Sequence, residues 1–327
     1  MSSSNLNILV LTNMYPSENV QKGIFVSEQC NSIKRNFNSI SIFVCNIDNY
    51  ALFGFLKYFF AIFSLLKVLV FKRIDIIHVH YGLSFIPLFF LLPIVYLIKS
   101  KIVLTCHGSD LMGARLVNFF TNLGGKFSCK IILVSSEQVK YLWKCNLSKF
   151  IVVPCGVDSS FFYYNSNIKN QTADGKIKII FPSNPSREEK NYKMFDSILN
   201  KINAHGRSVE VVIFKDMSRE KVRDALFSSD YLLLTSLREG SPQVVKEAVF
   251  SGLPVISTQV GDVKEILEYS KQCLVSNDED EIVNFILSHK KSFRLDRDFV
   301  SQVVSKYSDD IIATKLHNIY WALYEKN

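Results

Sequence analysis

DYLLLTSLREGSPQVVKEAVFSGLPVISTQVGDVKE, residues 230–265 of a 327-residue chain, changes periodicity twice. Tyr231 to Thr235 is a short apolar run that reads as a strand, and the chain then turns through Leu237-Arg238-Glu239-Gly240 into a helical pattern. Ser241 is placed to cap that helix and Pro242 to take its first position, where a missing N–H costs nothing. Ser251-Gly252 stops the helix, and Leu253 to Thr258 reads as the next strand. The stretch is a β-loop-α-β unit, the building block of a parallel sheet.

Helices that follow strands in such sheets open at the carboxyl edge, where N–H groups and the positive end of the dipole favour an anion. Gly240, Ser241 and Pro242 therefore form a candidate phosphate cradle. Glu239 and Glu247 flank it, with seven residues between them. A carboxylate beside a phosphate repels it unless the carboxylate contacts hydroxyls. The chemistry fits a sugar on one side and a ribose on the other, hence a sugar nucleotide. The plainer alternative is a surface helix carrying two solvated carboxylates.

The length allows two domains, each with its own core. Seven cysteines show no CxxC pair and no His/Cys ligand spacing, so neither a zinc site nor a disulfide framework is expected and the compartment reads as reducing cytoplasm. The N-terminus, MSSSNLNILVLTN, has no basic region before its apolar run, which argues against a signal peptide. The net charge of +8 is uneven: residues 1–156 hold 15 Lys+Arg against 6 Asp+Glu, or +9, while residues 157–327 hold 23 against 24, or −1. A basic first half points to an anionic partner. Zinc-finger, RNA-recognition and Lys/Arg-run motifs are absent from the sequence, so a membrane surface ranks ahead of nucleic acid.

Along the chain, Asn7 to Thr12 reads as a first buried strand. It is followed by Asn13-Met14-Tyr15-Pro16 and a single Gly23 in place of GxGxxG, so hydride chemistry is not indicated. Gly23 is either a turn residue or a place where substrate approaches the backbone. Between Ala51 and Arg73, Lys57, Lys67, Lys72 and Arg73 are set among phenylalanines and leucines. Leu83 to Ile98 is shorter than the roughly 20 residues a bilayer span needs and is expected as a buried crossover helix. Two strands end in histidines, His80 after Asp75 to His80 and His107 in the His107-Gly108-Ser109-Asp110 turn after Lys101 to Cys106. Strand ends are where such sheets place ligands, which makes both candidates beside the capping role an isolated histidine often has. A second strand-loop unit, Lys176 to Phe181 with PSNPSREEKN, carries Arg187 and Lys190. Two cations converging on a diphosphate would neutralise a leaving group.

Together these motifs resemble glycosyltransferase family 4, retaining enzymes of the GT-B fold. The resemblance rests on Glu239 and Glu247 with EGSP before and GLPV after, on HGSD, on IVVPCGVD with Cys155 where the family has asparagine, and on Gly261-Asp262 with Glu265, where Asp262 replaces a second glycine. It implies that Glu239 lies beside the transferred sugar and that Glu247 holds the ribose. It also implies that His107 sits over the donor sugar and that Lys190 grips the diphosphate. The arginine that normally accompanies this lysine is Asn184 here, so the second cation is assigned to Arg187. Asp110 and His80 are expected on the acceptor side. A glycine at the entry loop matches Gly23, while Lys22 occupies the place of a second one.

The expected fold is α/β, two Rossmann-like doubly wound domains facing each other across a cleft. Residues 1–160 form the acceptor-side domain, 161–175 a linker, 176–308 the nucleotide-sugar domain and 309–327 a helix crossing back to the first. Asp296-Arg297-Asp298 spells DxD outside any strand-end loop and is not read as a metal site. The implied reaction is transfer of a hexose-type sugar from a nucleotide-diphosphate donor, with no metal and no cofactor, to a lipid-linked or saccharide acceptor of surface-polysaccharide assembly. The protein would sit in the cytoplasm, docked peripherally on the anionic inner membrane face through Ala51–Arg73. A GT-B sugar-nucleotide epimerase or hydrolase, or a non-catalytic partner of another glycosyltransferase, are the alternatives.

Overall fold

A computed structural model describes residues 5–16, 23–163, 176–289 and 294–325. The chain divides into two compact units, Met1–Gly156 with Asp309–Asn327, and Val157–Ser308. The break thus falls after Gly156, slightly before the expected end of the first domain. Lys22 and most of the expected linker, 164–175, lie outside the described residues.

In the first unit the order is β1 (Leu6–Thr12), α1 (Ile24–Asn36), β2 (Ile40–Asn46), α2 (Lys57–Phe71), β3 (Ile76–His80), α3 (Ile86–Leu97), β4 (Lys101–Cys106), α4 (Ser109–Met112), α5 (Arg115–Phe127), β5 (Lys130–Leu133) and β6 (Phe150–Val152). The strands pair in parallel as β2-β1-β3-β4-β5-β6. Successive residues of β1 serve opposite faces, as pleating requires. Leu9 and Leu11 join Ile77, Val79 and Leu104 under α2 and α3. Leu6, Ile8 and Val10 join Val26 and Ile33 of α1 on the other face. Strands buried on both sides read as unbroken apolar runs, which is why the sequence shows no alternation there.

The second unit runs β7 (Ile177–Phe181), α6 (Tyr192–Ala204), β8 (Val209–Ile213), α7 (Arg219–Ser228), β9 (Tyr231–Leu234), α8 (Gln243–Phe250), β10 (Val255–Ser257), α9 (Val263–Leu267), β11 (Leu274–Val275), α10 (Glu279–Ser288) and α11 (Arg297–Tyr307). Its parallel order is β11-β10-β9-β7-β8. Leu232 and Leu234 of β9 face α8 and α11, whereas Tyr231 and Leu233 face α6 and α10. The last helix, α12 (Asp309–Tyr324), returns to the first unit. There Ile312, Leu316 and Tyr320 pack with α1, and Arg35 pairs with Asp309 at 2.7 Å.

Both sheets reverse their strand order once, between β1 and β3 and between β7 and β9. The loops leaving the carboxyl ends of those strands splay apart and leave a crevice, the usual ligand position in an open α/β sheet. Gly23, the Arg187–Lys190 segment and the Glu239–Pro242 segment follow β1, β7 and β9, His80 ends β3, and His107–Asp110 and Gly261-Asp262 follow the neighbouring β4 and β10; Asp296-Arg297-Asp298 lies on none of these loops. Asp296 instead caps α11, accepting from the amides of Asp298 and Phe299.

One expectation fails on burial. The Leu83–Ile98 segment buries Pro87, Leu88, Leu91, Leu92 and Val95 but leaves Phe90 68% and Leu97 81% exposed. Only one stripe of a helix can meet the sheet, and α3 is apolar all round, so its far side is left uncovered.

Candidate functional site

In the second unit, the loop after β9 and the loop after β7 are joined through backbone and side chain. Leu237 donates its N–H to the Glu189 carbonyl at 2.9 Å. The Thr235 hydroxyl is within 3.1 Å of the carbonyls of Lys190 and Asn191. Lys190, ending a short 3-10 turn, donates from Nζ to Glu239 Oε1 at 2.6 Å, and Ser236 Oγ donates to the same oxygen at 2.7 Å. The pair is 13% and 15% exposed: held in place, yet reachable. An ammonium has three donors, and Glu239 uses one.

Arg187 does not join this group. Its Nε and Nη2 bind Glu189 Oε1 at 2.9 and 2.6 Å, and the side chain is 54% exposed. The expected lysine–arginine pair is not assembled here because an acid two residues on takes the guanidinium. A different arginine enters the site. Arg219 Nη1 donates to Glu247 Oε1 at 2.8 Å, while its guanidinium lies 4.8 Å from the centre of the Phe162 ring. A cation opening a helix opposes the dipole. Arg219 directly after the capping Ser218 was the one sign in the sequence that a carboxylate holds it.

Ser241 is also used differently from the expectation. Pro242 is itself the N-cap of α8 and Gln243 the first helical residue. The Ser241 hydroxyl receives Lys246 Nζ at 2.6 Å and donates to Asp262 Oδ2 at 2.6 Å. Lys246 and Asp262 are both buried. Burial pushes the Asp262 acid up, with the Lys246 charge acting against it. This gives Asp262 its reason to stand where the family has glycine: it serves a buried lysine. Gly261 has φ +53°, and a Cβ there would come within 2.5 Å of the Gly240 carbonyl oxygen. The loop bearing Gly240 is thus pressed backbone to backbone against its neighbour.

In the first unit the strand ends carry histidines and one acid. His107 Nε2 and His80 Nδ1 are 3.1 Å apart, with the two rings stacked. His78 bridges Tyr320 and Thr105 at 2.7 and 2.6 Å. His107 also packs on Phe25 and faces Cys155 Sγ at 4.0 Å. Asp110 accepts from the backbone amides of His107, Gly108 and Gly82 at 3.0, 2.9 and 3.3 Å. Burial nevertheless raises its acid to about 6. Burial lowers His78 and His107 to about 3 and holds His80 well below the usual imidazole range, so the cluster is neutral. His80 and Asp110 are fully buried. Both, expected on the acceptor side, contact the His107 turn, His80 through its ring nitrogen and Asp110 by accepting from backbone amides. Gly23 has φ +75°, and a Cβ there would lie 2.3 Å from the Met14 carbonyl. Its own backbone explains that glycine.

Comparison with known proteins agrees with this arrangement. The family model described as Glycosyltransferase Family 4 matches residues 30–161, and that described as Glycosyl transferases group 1 matches residues 178–289. No curated protein matches the sequence. Among solved structures, the chain is similar to sucrose-phosphate synthase from Thermosynechococcus elongatus (TM-score 0.74, 14% identity, 99% of this chain and 100% of that one). It is also similar to Anabaena HepE in complex with UDP-glucose (TM-score 0.69, 12% identity, 97% and 100%). A third is the lipopolysaccharide outer core galactosyltransferase WaaB (TM-score 0.66, 15% identity, 97% and 99%). At these identities the likeness shows the fold, two doubly wound domains of the GT-B type.

Proposed function

Since the chain belongs to the glycosyltransferases, with a family 4 first domain and a group 1 second domain, we propose that it transfers a hexose-type sugar, with retention, from a nucleotide diphosphate to a lipid-linked saccharide. The observation that carries this is the Lys190–Glu239 contact of 2.6 Å at a strand-end crevice, with Glu247 on the helix that follows. Lys190 keeps donors for the leaving diphosphate, where negative charge grows in the transition state. Glu239 accepts from hydroxyls of the transferred sugar and Glu247 from the ribose. The neighbour role beside the donor sugar that the resemblance implies falls to His107, a neutral ring in the first unit. The leaving phosphate assists the acceptor proton on the same face, so no carboxylate is assigned as a nucleophile and no metal or cofactor enters.

The surface of the first unit supports the lipid-linked acceptor of this reading. Leu52, Phe55, Leu56, Phe59 and Phe63 are exposed around α2, and Phe90 and Leu97 on α3. Exposed Lys67 and Lys72 lie on the same stretch. Exposed apolar side chains interspersed with basic residues suit the interface of an anionic bilayer, and surface-polysaccharide assembly supplies such an acceptor. One lysine is corrected: Lys57 pairs with Asp48 at 2.6 Å and is spent within the fold. The test is binding and transfer with a panel of UDP-, GDP- and ADP-hexoses and a polyprenyl-linked saccharide. Transfer of hexose with retained anomeric configuration is expected; a chain that binds none of the donors overturns the proposal.

A further inference from the structure

Glu247 is 3% exposed, and among the described residues its carboxylate takes one side-chain hydrogen bond, from Arg219 to Oε1. A buried carboxylate that has lost its countercharge is strongly unfavourable, so this pairing decides how Glu247 is oriented. Arg219 is itself fixed on two sides. It opens α7 behind the Ser218 cap, and its guanidinium lies over Phe162, a fully buried ring. A planar guanidinium held between a ring and a carboxylate is a preorganised clamp. It occupies Oε1 and leaves the lone pairs of Oε2 to accept from a ligand hydroxyl.

We propose that Arg219 is the positioning residue that holds Glu247 for the ribose of the donor, so that the preference for ribonucleotides over 2′-deoxynucleotides depends on a residue from a different βα loop. This rests on the donor reading above. Arg219 need not touch the donor; it acts through the carboxylate.

The experiment measures affinities of the full chain for UDP, GDP and ADP, each beside its 2′-deoxy form. Wild type is expected to prefer one ribonucleotide over its deoxy form by about tenfold or more, the effect of a hydrogen bond to a charged group. In Arg219→Gln the preference shrinks to within about twofold, and Arg219→Lys restores part of it. Glu247→Gln loses the preference equally, and the double variant loses no more, because the two residues act as one unit. Should Arg219→Gln fail to fold, Phe162→Leu, which removes only the ring under the guanidinium, is expected to reduce the preference by a few-fold. A wild-type chain that discriminates while Arg219→Gln discriminates equally overturns the assignment alone. So does an Arg219→Gln loss that adds in full to that of Glu247→Gln. A wild-type chain that binds none of the six nucleotides overturns the donor reading, and this assignment with it.

Discussion

The two units wind their sheets with the same single reversal of strand order but bury their ionisable groups in opposite ways. The first collects three histidines and an aspartate with no side-chain countercharge among the described residues: ring against ring, and the acid on backbone amides. Burial then drives all four toward their neutral forms. The second sets cation against anion, Lys190 with Glu239 and Arg219 with Glu247. A buried charge with a partner can remain, whereas one without a partner gives up or takes a proton. The contrast fits the proposal above, in which charge is met in the second unit and neutral hydroxyls in the first. The difference is open to attack at four points.

The largest effect is expected from acid. His78 and His107 titrate near 3 in the fold, and His80 is likewise held well below its usual range, against about 6.5 unfolded. Between these limits the unfolded chain binds more protons, so stability is full above 6.5 and lost as pH falls. Asp110 has the opposite sign. Its folded value of about 6 exceeds the unfolded one, so its contribution is present at low pH and lost as pH rises through 6. Three groups outweigh one. The net loss should be several kcal/mol between pH 6.5 and 4.5, at roughly 1 kcal/mol per pH unit and proton. Both tryptophans, Trp143 and Trp321, lie in the first unit, so their fluorescence reports that unit alone. Its midpoint in urea should fall with acid, and His80→Asn should flatten the slope. An acid-insensitive tryptophan transition would remove the contrast.

Next comes the carboxylate in the second crevice. Glu239→Ala removes the acceptor facing the sugar and leaves Lys190 without its partner, so turnover should drop about a hundredfold, as when one preorganised group is lost. Glu247→Ala should raise KM for the donor more than it lowers kcat. Wild-type turnover in Glu239→Ala would sink the site.

Smaller again is the separation of two cations. Lys190→Ala should lower kcat by about tenfold or more, since it faces charge that grows in the transition state. Arg187→Ala should stay within about twofold, because an exposed pair contributes little. Equal losses would mean that Arg187 leaves Glu189 when the donor binds.

Lys190, Glu239 and Glu247 could be singled out because each sits at fixed spacing within a local strand-turn-helix unit, and the fold brings the first two into contact. Arg219 could not, since its partner lies 28 positions away and only the fold brings α7 beside α8. His78 was missed as a site neighbour for the same reason, its partner Tyr320 arriving from the far end of the chain. Arg187 misled because the sequence cannot show that Glu189 captures it before any ligand. Ser241 misled because a hydroxyl suited to a cap was nearer to a buried ammonium with stronger claims. The strands read from apolar runs fall within two residues of the observed ones, whereas the short β6 and β11 were not read as strands. The Leu83–Ile98 segment was expected buried because it is too short to span a bilayer, but a helix apolar on every side gives no clue to which face meets water, and α3 leaves Phe90 and Leu97 exposed.

The smallest effect tests the surfaces of the two halves, +9 for residues 1–156 against −1 for the remainder. If the first unit docks on an anionic bilayer, Phe55, Phe59 and Phe63, exposed by 71%, 55% and 60%, enter the acyl boundary while Lys67 stays among the headgroups. One basic residue near such a surface contributes about 1 kcal/mol, so Lys67→Gln should weaken co-sedimentation with phosphatidylglycerol vesicles about fivefold. Lys57→Gln makes the instructive control. Its ammonium is committed to Asp48, so its loss should lower the melting temperature and leave vesicle affinity nearly unchanged once folding is accounted for. Raising salt from 50 to 500 mM shortens the screening length and should remove the Lys67 contribution while sparing part of the phenylalanine one. A Phe59→Ser variant that binds as wild type, or a chain that ignores anionic vesicles at low salt, would show that these aromatics face something other than lipid. The donor crevice, in the other unit, would stand regardless.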